Sequence, residues 1–260
     1  MIAVVIALIC LSGRELWKMS EKYVHEAHIK SIVSKYRPAN MPGIPETQQS
    51  KPQNTESAGF IITGEGPSRQ AAQPVLNDFI INLQNEINSD ITGWIAVPDT
   101  NIDYPFVTAG DNDYYLRRDI FGNYALAGTL FTDYRCPADF TGFNTIIYGH
   151  NMKNGGMFGD LGMFGDEGFF ESNRSGTIFL KDKTLALEFF AYMVIKSDDG
   201  VIYSQYYAET QEGREMDGFF EYVKIYARNY REPDKSGRVA TLSTCSADGT
   251  ERIVLIANIK

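Results

Sequence analysis

Cysteine and histidine are both scarce in this chain, and the scarcity removes several functional classes before any motif is read. Three cysteines, at 10, 136 and 245, are too few to staple a fold of 260 residues. None belongs to a CxxC pair, so neither a zinc ribbon nor a thioredoxin-like redox couple is encoded. Positive charge is also in deficit. A net charge of -9 argues against a nucleic-acid partner, whose phosphates would have to be neutralised. There is no GxSxG nucleophile elbow and no phosphate-binding P-loop. Asp111-Asn112-Asp113 lacks the glycine and the downstream glutamate of a calcium loop. His25-Glu26-Ala27-His28 has the wrong spacing for a zinc-binding HExxH pair and reads as a solvated helix face. No metal and no cofactor is expected.

A long apolar run is missing as well. Met1 to Leu11 is uncharged and apolar, but a membrane span needs about 20 such residues. The length suits a signal-peptide core, yet no basic segment precedes it. Arg14, Lys18 and Lys22 follow it instead, which by the positive-inside rule would leave the bulk of the chain in the cytoplasm. The segment is read as part of a signal-anchor whose beginning is absent, with an amphipathic or core helix as the alternative. Residues 1–36 are therefore expected to hold this partial anchor and a juxtamembrane helix from about Glu15 to Tyr36.

Six of the ten prolines then fall between Pro38 and Pro74, among Gln, Ser, Thr, Asn and Gly. Such composition cannot bury enough apolar surface to offset the entropy of ordering, so residues 37–74 read as a flexible linker. A domain over 75–260 follows. Val75, Leu76, Phe79, Ile80, Leu83 and Ile87 recur at helical spacing. Strands are expected at Gly93–Val97, Gly128–Phe131, Thr145–Tyr148, Thr177–Leu180, Leu185–Ile195, Val239–Leu242 and Ile253–Ile259. Met216, Phe219, Phe220, Val223 and Ala227 return to helical spacing, a helix inserted before the last strands. Many short strands with few helices make a mostly-β barrel or sandwich.

Two stretches carry the candidate chemistry. In the first, strand-like runs flank a polar loop containing Asp248-Gly249, a hairpin signal. Pairing would set Cys245, at the end of one strand, opposite Arg252, at the start of the next. A guanidinium beside a thiol favours the thiolate and supplies donors to a developing oxyanion. The same pattern alone also fits a small apolar side chain beside a solvated charge. In the second stretch, a buried strand runs into Gly149-His150 and a glycine-rich loop. His150 is the only histidine beyond the linker, so a cysteine–histidine pair must use it.

Thr241-Leu242-Ser243-Thr244-Cys245, then Arg252-Ile253-Val254-Leu255, with Tyr148-Gly149-His150 upstream, resembles the signature of the sortases, and the TLSTC form resembles class B. Gly93-Trp94-Ile95, Asn101 to Pro105, Asp111-Asn112 with Tyr115-Leu116, Phe131 to Arg135 and Met157 to Leu161 resemble class B segments in the same order. The likeness runs from Val75 to Lys260. It implies an eight-stranded β-barrel with an N-terminal helix and a helical insertion before the last strands. It also implies a cysteine transpeptidase of Gram-positive cell surfaces, with its catalytic domain outside a membrane that it spans once. Cys245 would be the nucleophile, His150 the acid/base partner and Arg252 the oxyanion stabiliser. Asn112, Leu116, Ile202 and Ser243 would contact substrate. Partners would be surface proteins bearing a C-terminal sorting signal, and an accepting amine of a lipid II-type wall precursor or a pilin lysine. Cys136 departs from the family's pattern after Arg135. A Cys136–Cys245 disulfide would silence the enzyme, so Cys136 must be remote or a redox liability. The short loop between Cys245 and Arg252 would narrow the leaving-group side. A cysteine peptidase that only hydrolyses, or a non-catalytic peptide-binding barrel, is the alternative.

Overall fold

The computed structural model describes residues 20–38, 41, 77–204, 216–245 and 251–260. The apolar N-terminal run and most of the expected linker lie outside these described residues. Helix α1 covers residues 20–33 and tightens into a 3-10 turn at Ser34–Tyr36. Helices α2 (Asp78–Glu86), α3 (Glu167–Ser172) and α4 (Met216–Tyr226) follow. The strands are β1 (Ile91–Ala96), β2 (Asp103–Val107), β3 (Leu130–Thr132), β4 (Asn144–Tyr148), β5 (Ser175–Leu180), β6 (Thr184–Lys196), β7 (Asn229–Tyr230), β8 (Val239–Cys245) and β9 (Glu251–Ile259).

Eight of these close a barrel in the order β5-β1-β2-β3-β4-β8-β9-β6, with β6 pairing back onto β5 and the short β7 appended to β6. Closure removes exposed strand edges. Two pairs are parallel, β2 with β3 and β4 with β8, and the others are antiparallel.

Strand β6 shows how the sequence writes its own surroundings. Leu185, Leu187 and Phe189 alternate inward while Thr184, Ala186 and Glu188 face water, the period-2 signature of a half-buried strand. A bulge between Phe189 and Ala191 reverses the parity. Beyond it Tyr192 turns into the barrel, and Phe190, Met193 and Ile195 pack outward beneath Phe219, Phe220 and Val223 of α4. The inserted helix thus covers one outer face. A second outer core, including Trp94, Phe131 and Ile80, lies beneath α1 and α2.

Strand β2 is absent from the sequence reading because Pro105 interrupts it. Pro105 lies opposite Trp94, and the pairing with β3 begins only at Phe106, so the missing N–H breaks no bond on that side.

Helix α1 packs against the barrel and corrects the reading of its His25–His28 face as solvated. His28 is exposed, but Glu26 is 5% exposed and accepts the Tyr104 hydroxyl. His25 Nε2 lies 3.0 Å from the buried Asp119 carboxylate, and Arg37 pairs with Asp103 at 2.8 Å. Polar residues here are held in by partners supplied from the barrel, which helical spacing could not reveal.

Leu242 is fully buried inside the barrel, whereas Leu116 is 39% exposed. Leu242→Ala is expected to cost about 2–5 kcal/mol in a denaturant titration, and Leu116→Ala no more than about 0.5 kcal/mol.

Candidate active site

The parallel pairing of β4 with β8 runs from Asn144↔Val239 to Tyr148↔Ser243. Parallel strands end on the same side, so the residues after Tyr148 emerge beside the last residues of β8. The Gly149 N–H continues the ladder by donating to the Ser243 carbonyl at 3.1 Å. A Cβ on Gly149 would stand 2.4 Å from Leu130 Cδ2 and 2.8 Å from the Phe158 ring. Glycine is what lets the chain cross the barrel rim there. His150 comes next, and its carbonyl accepts the Phe158 N–H at 3.0 Å, folding the glycine-rich loop back. At the opening of the 3-10 segment Gly159–Gly165, a Cβ on Gly159 would meet the Met152 carbonyl at 2.2 Å, so that fold-back also requires glycine. Cys245 is the final residue of β8, and β9 returns antiparallel with Arg252 directly opposite. The hairpin expected from the sequence therefore forms in the expected register.

An open cleft of about 310 Å³ lies at this end of the barrel. His150, Arg252, Asn112, Leu116 and Ser243 line it, together with Thr244. Ile202 does not. It is fully buried in the core beneath α4, with its carbonyl accepting from Asn144 Nδ2 at 3.1 Å. From that segment Ser197 and Tyr203, the neighbour of Ile202, reach the cleft, and the Tyr203 hydroxyl lies 2.8 Å from Ser243 Oγ. Tyr148 and Phe131 also line the cleft. All three aromatics were missed as site residues. Tyr148 and Phe131 stood inside motifs already noted, and adjacency to Ile202 was the only cue for Tyr203.

His150 Nε2 is 2.7 Å from the Leu116 carbonyl. A carbonyl can only accept, so Nε2 carries a proton and Nδ1 is the nitrogen open to exchange in the neutral ring. Burial pushes the imidazole below its ordinary value, as do the positive charges of Lys22 and Arg117, while the Leu116 carbonyl pulls it up. Asn112 presents its Oδ1 to the Tyr134 N–H at 3.1 Å, an arrangement that fixes which end of the amide is left for a ligand. Arg252 donates to the Glu251 carbonyl at 3.3 Å.

Cys136 is buried, with Sγ 3.4 Å from the Asn144 carbonyl, and burial raises its thiol to about 11. It packs with Ile146, which pairs with Thr241, four residues before Cys245. At about 3.3 Å per residue that is roughly 13 Å along the strand, well beyond the roughly 7 Å limit for a disulfide. Cys136 therefore lies by the opposite end of the β4–β8 ladder from Cys245, beyond disulfide reach.

In a Cys245→Ala background, an NMR titration is expected to place His150 below the ordinary 6.5. Lys22→Gln should move it upward, because one of the charges opposing protonation is gone.

No family model matches the chain. It is 36% identical over 178 residues to Sortase B of Listeria monocytogenes, covering 66% of this chain and 69% of that protein. Among solved structures, it is similar to sortase B from B. anthracis, with a TM-score of 0.64 at 33% identity, covering 74% of this chain and 87% of that one. The Staphylococcus aureus sortase B–substrate complex gives a TM-score of 0.65 at 26% identity over 71% of this chain and 86% of that chain. The closed eight-stranded barrel, the helix inserted before its last strands and this degree of identity have one explanation: the chain belongs to the sortase B family of cysteine transpeptidases.

Proposed function

We propose that Cys245, His150 and Arg252 carry out a two-step transpeptidation on the C-terminal sorting signal of a surface protein. The observation that carries this reading is the strand register. Cys245 lies opposite Arg252 at the mouth of the β8–β9 hairpin, and β4 delivers His150 to the same end.

In the first step the Cys245 thiolate attacks the carbonyl of a threonine in the sorting motif. Arg252 donates to the oxyanion of the tetrahedral intermediate. The C–N bond breaks as His150 gives its Nδ1 proton to the departing amine, leaving a thioester on Cys245. In the second step an incoming amine attacks that thioester, Nδ1 takes its proton, and the C–S bond breaks to release the new amide and return the Cys245 thiolate. The Leu116 carbonyl holds Nε2–H throughout, so proton traffic is confined to one ring nitrogen. The environment of His150 favours the neutral ring. The ion pair that starts the first step must offset that burial through the mutual attraction of the thiolate and the imidazolium. Asn112, Leu116, Ser243 and Tyr203 line the cleft, which supports them as contacts to the motif.

The accepting amine is assigned to a wall precursor of lipid II type or to a pilin lysine. Sortases are cell-surface enzymes. Among the described residues, no helix is long and apolar enough to cross a membrane. The partial signal-anchor read from the apolar run Met1 to Leu11 lies outside the described residues.

The chain, incubated with fluorogenic sorting-type peptides with and without an added amine, is expected to yield an amine-linked product. Cys245→Ala should abolish the acyl-enzyme in mass spectra. Arg252→Lys should lower kcat/KM about 100-fold or more, because a point charge cannot replace the planar fork. Hydrolysis alone, with every amine tried, would favour a cysteine peptidase. Turnover by Cys245→Ala would refute the assignment.

A further inference from the structure

Directly beneath the cleft lies a carboxylate with no contact to solvent. Asp133 follows β3, is fully buried and forms a bidentate pair with Arg135, Nη2 to Oδ2 at 2.6 Å and Nε to Oδ1 at 2.8 Å. Burial would raise its carboxyl. The hydrogen bonds from Arg135 and from the Tyr148 hydroxyl outweigh that and hold it below its ordinary value. A buried ion pair is weak evidence of stabilisation, since apolar residues of the same volume often serve a core as well. Its remaining bonds are therefore more informative than its existence.

Those bonds lead to two cleft residues on two different elements. Asp133 Oδ2 accepts the hydroxyl of Tyr148, on β4, at 2.9 Å. Arg135 Nη1 donates to the carbonyl of Tyr203, between β6 and α4, at 3.2 Å. The two rings lie side by side with centroids 6.2 Å apart, and Phe131 extends the row at 5.4 Å from Tyr148. At the far end, the Tyr203 hydroxyl reaches Ser243 Oγ, two residues before Cys245. The segment bearing Tyr203 is also anchored by Ile202, fully buried beneath α4, and by the Tyr222 hydroxyl, which donates to Asp199. Asp199 Oδ1 accepts the N–H groups of Val201 and Ile202 within the segment, and Asn144 holds the Ile202 carbonyl.

We propose that the Asp133–Arg135 pair is a positioning device that sets the Phe131–Tyr148–Tyr203 row as a rigid wall of the substrate cleft, and so governs peptide affinity rather than the chemistry at Cys245. The proposal rests on the reading of this cleft as the peptide site, but its structural half can be measured independently. Only a guanidinium reaches Asp133 twice and Tyr203 once. Lysine can satisfy one or the other.

The test uses the full chain with Arg135→Gln, Arg135→Lys and Tyr148→Phe, the last removing a single hydroxyl. Arg135→Gln is expected to raise KM for a sorting peptide about tenfold, the size of one lost charge-assisted bond, with kcat within about threefold. Arg135→Lys should not restore KM. Labelling of the Cys245 peptide by a small methanethiosulfonate should keep its wild-type rate. Hydrogen exchange of residues 197–204 should accelerate at least about tenfold in Arg135→Gln while β4 and β8 keep their protection. Unchanged exchange in 197–204 would overturn the proposal. So would an Arg135→Lys enzyme with wild-type KM, or kcat and Cys245 labelling falling together with KM. If the unmodified chain cleaves no peptide, the transpeptidase assignment fails by itself, and the exchange measurement still decides whether the pair holds this wall.

Discussion

The parallel ladder between β4 and β8 is the constraint on which the site depends. Its five pairs join segments that lie far apart in the chain. Every candidate catalytic residue is placed by reference to it: His150 just beyond one strand, Cys245 at the end of the other and Arg252 across the hairpin from Cys245. Register in a sheet is unforgiving, because a slip of one residue turns each side chain to the opposite face. Here it is fixed from both faces. Ile147, Ala240 and Leu242 point into the barrel core, while Ile146 and Val239 are committed to outer clusters. A polar lock adds to this, with Thr241 Oγ1 donating to the buried Asn144 side chain at 2.8 Å.

Around that frame the chain spends its unusual residues where the backbone has to do something difficult. Gly149 and Gly159 allow close crossings at the start and end of the loop after β4. The carbonyl of Leu116 leaves the 3-10 turn Tyr114–Arg117 to hold the His150 ring, so a residue expected to matter through its side chain contributes its backbone too. Polar burial is concentrated in the same region. Asp133, Asn144, Thr241 and Ser243 are each almost wholly shielded, and each has a partner. These four satisfied groups rigidify the region, whereas the neighbouring Thr145 and Thr244 hydroxyls are buried with no partner among the described residues.

Helical and strand periodicity reported most of the elements, since burial on one face imposes its period on the sequence. The long β6, the inserted α4 and the final hairpin all occur where alternation or helical spacing placed them. Periodicity failed where it had nothing to act on. Strand β2 is short and carries proline, β7 has two residues, and α3 has six. The His25–Glu26 face was misread for another reason. Its polar groups find partners in Tyr104 and Asp119, residues a long way along the chain.

By itself the sequence determined the set of candidate reactive groups and their local order: one histidine after the linker, one cysteine ending a strand, one arginine near the start of the next. It could do so because a hairpin is a local structure whose turn and flanking pattern lie within a few residues. Only the tertiary structure decided that Tyr203 rather than Ile202 faces the cleft, that Cys136 lies far from Cys245 and that His150 is held through Nε2. Those facts depend on contacts between segments distant in sequence. The energies that select them are those of packing and buried polar pairing, and neither leaves a periodic trace in the order of residues.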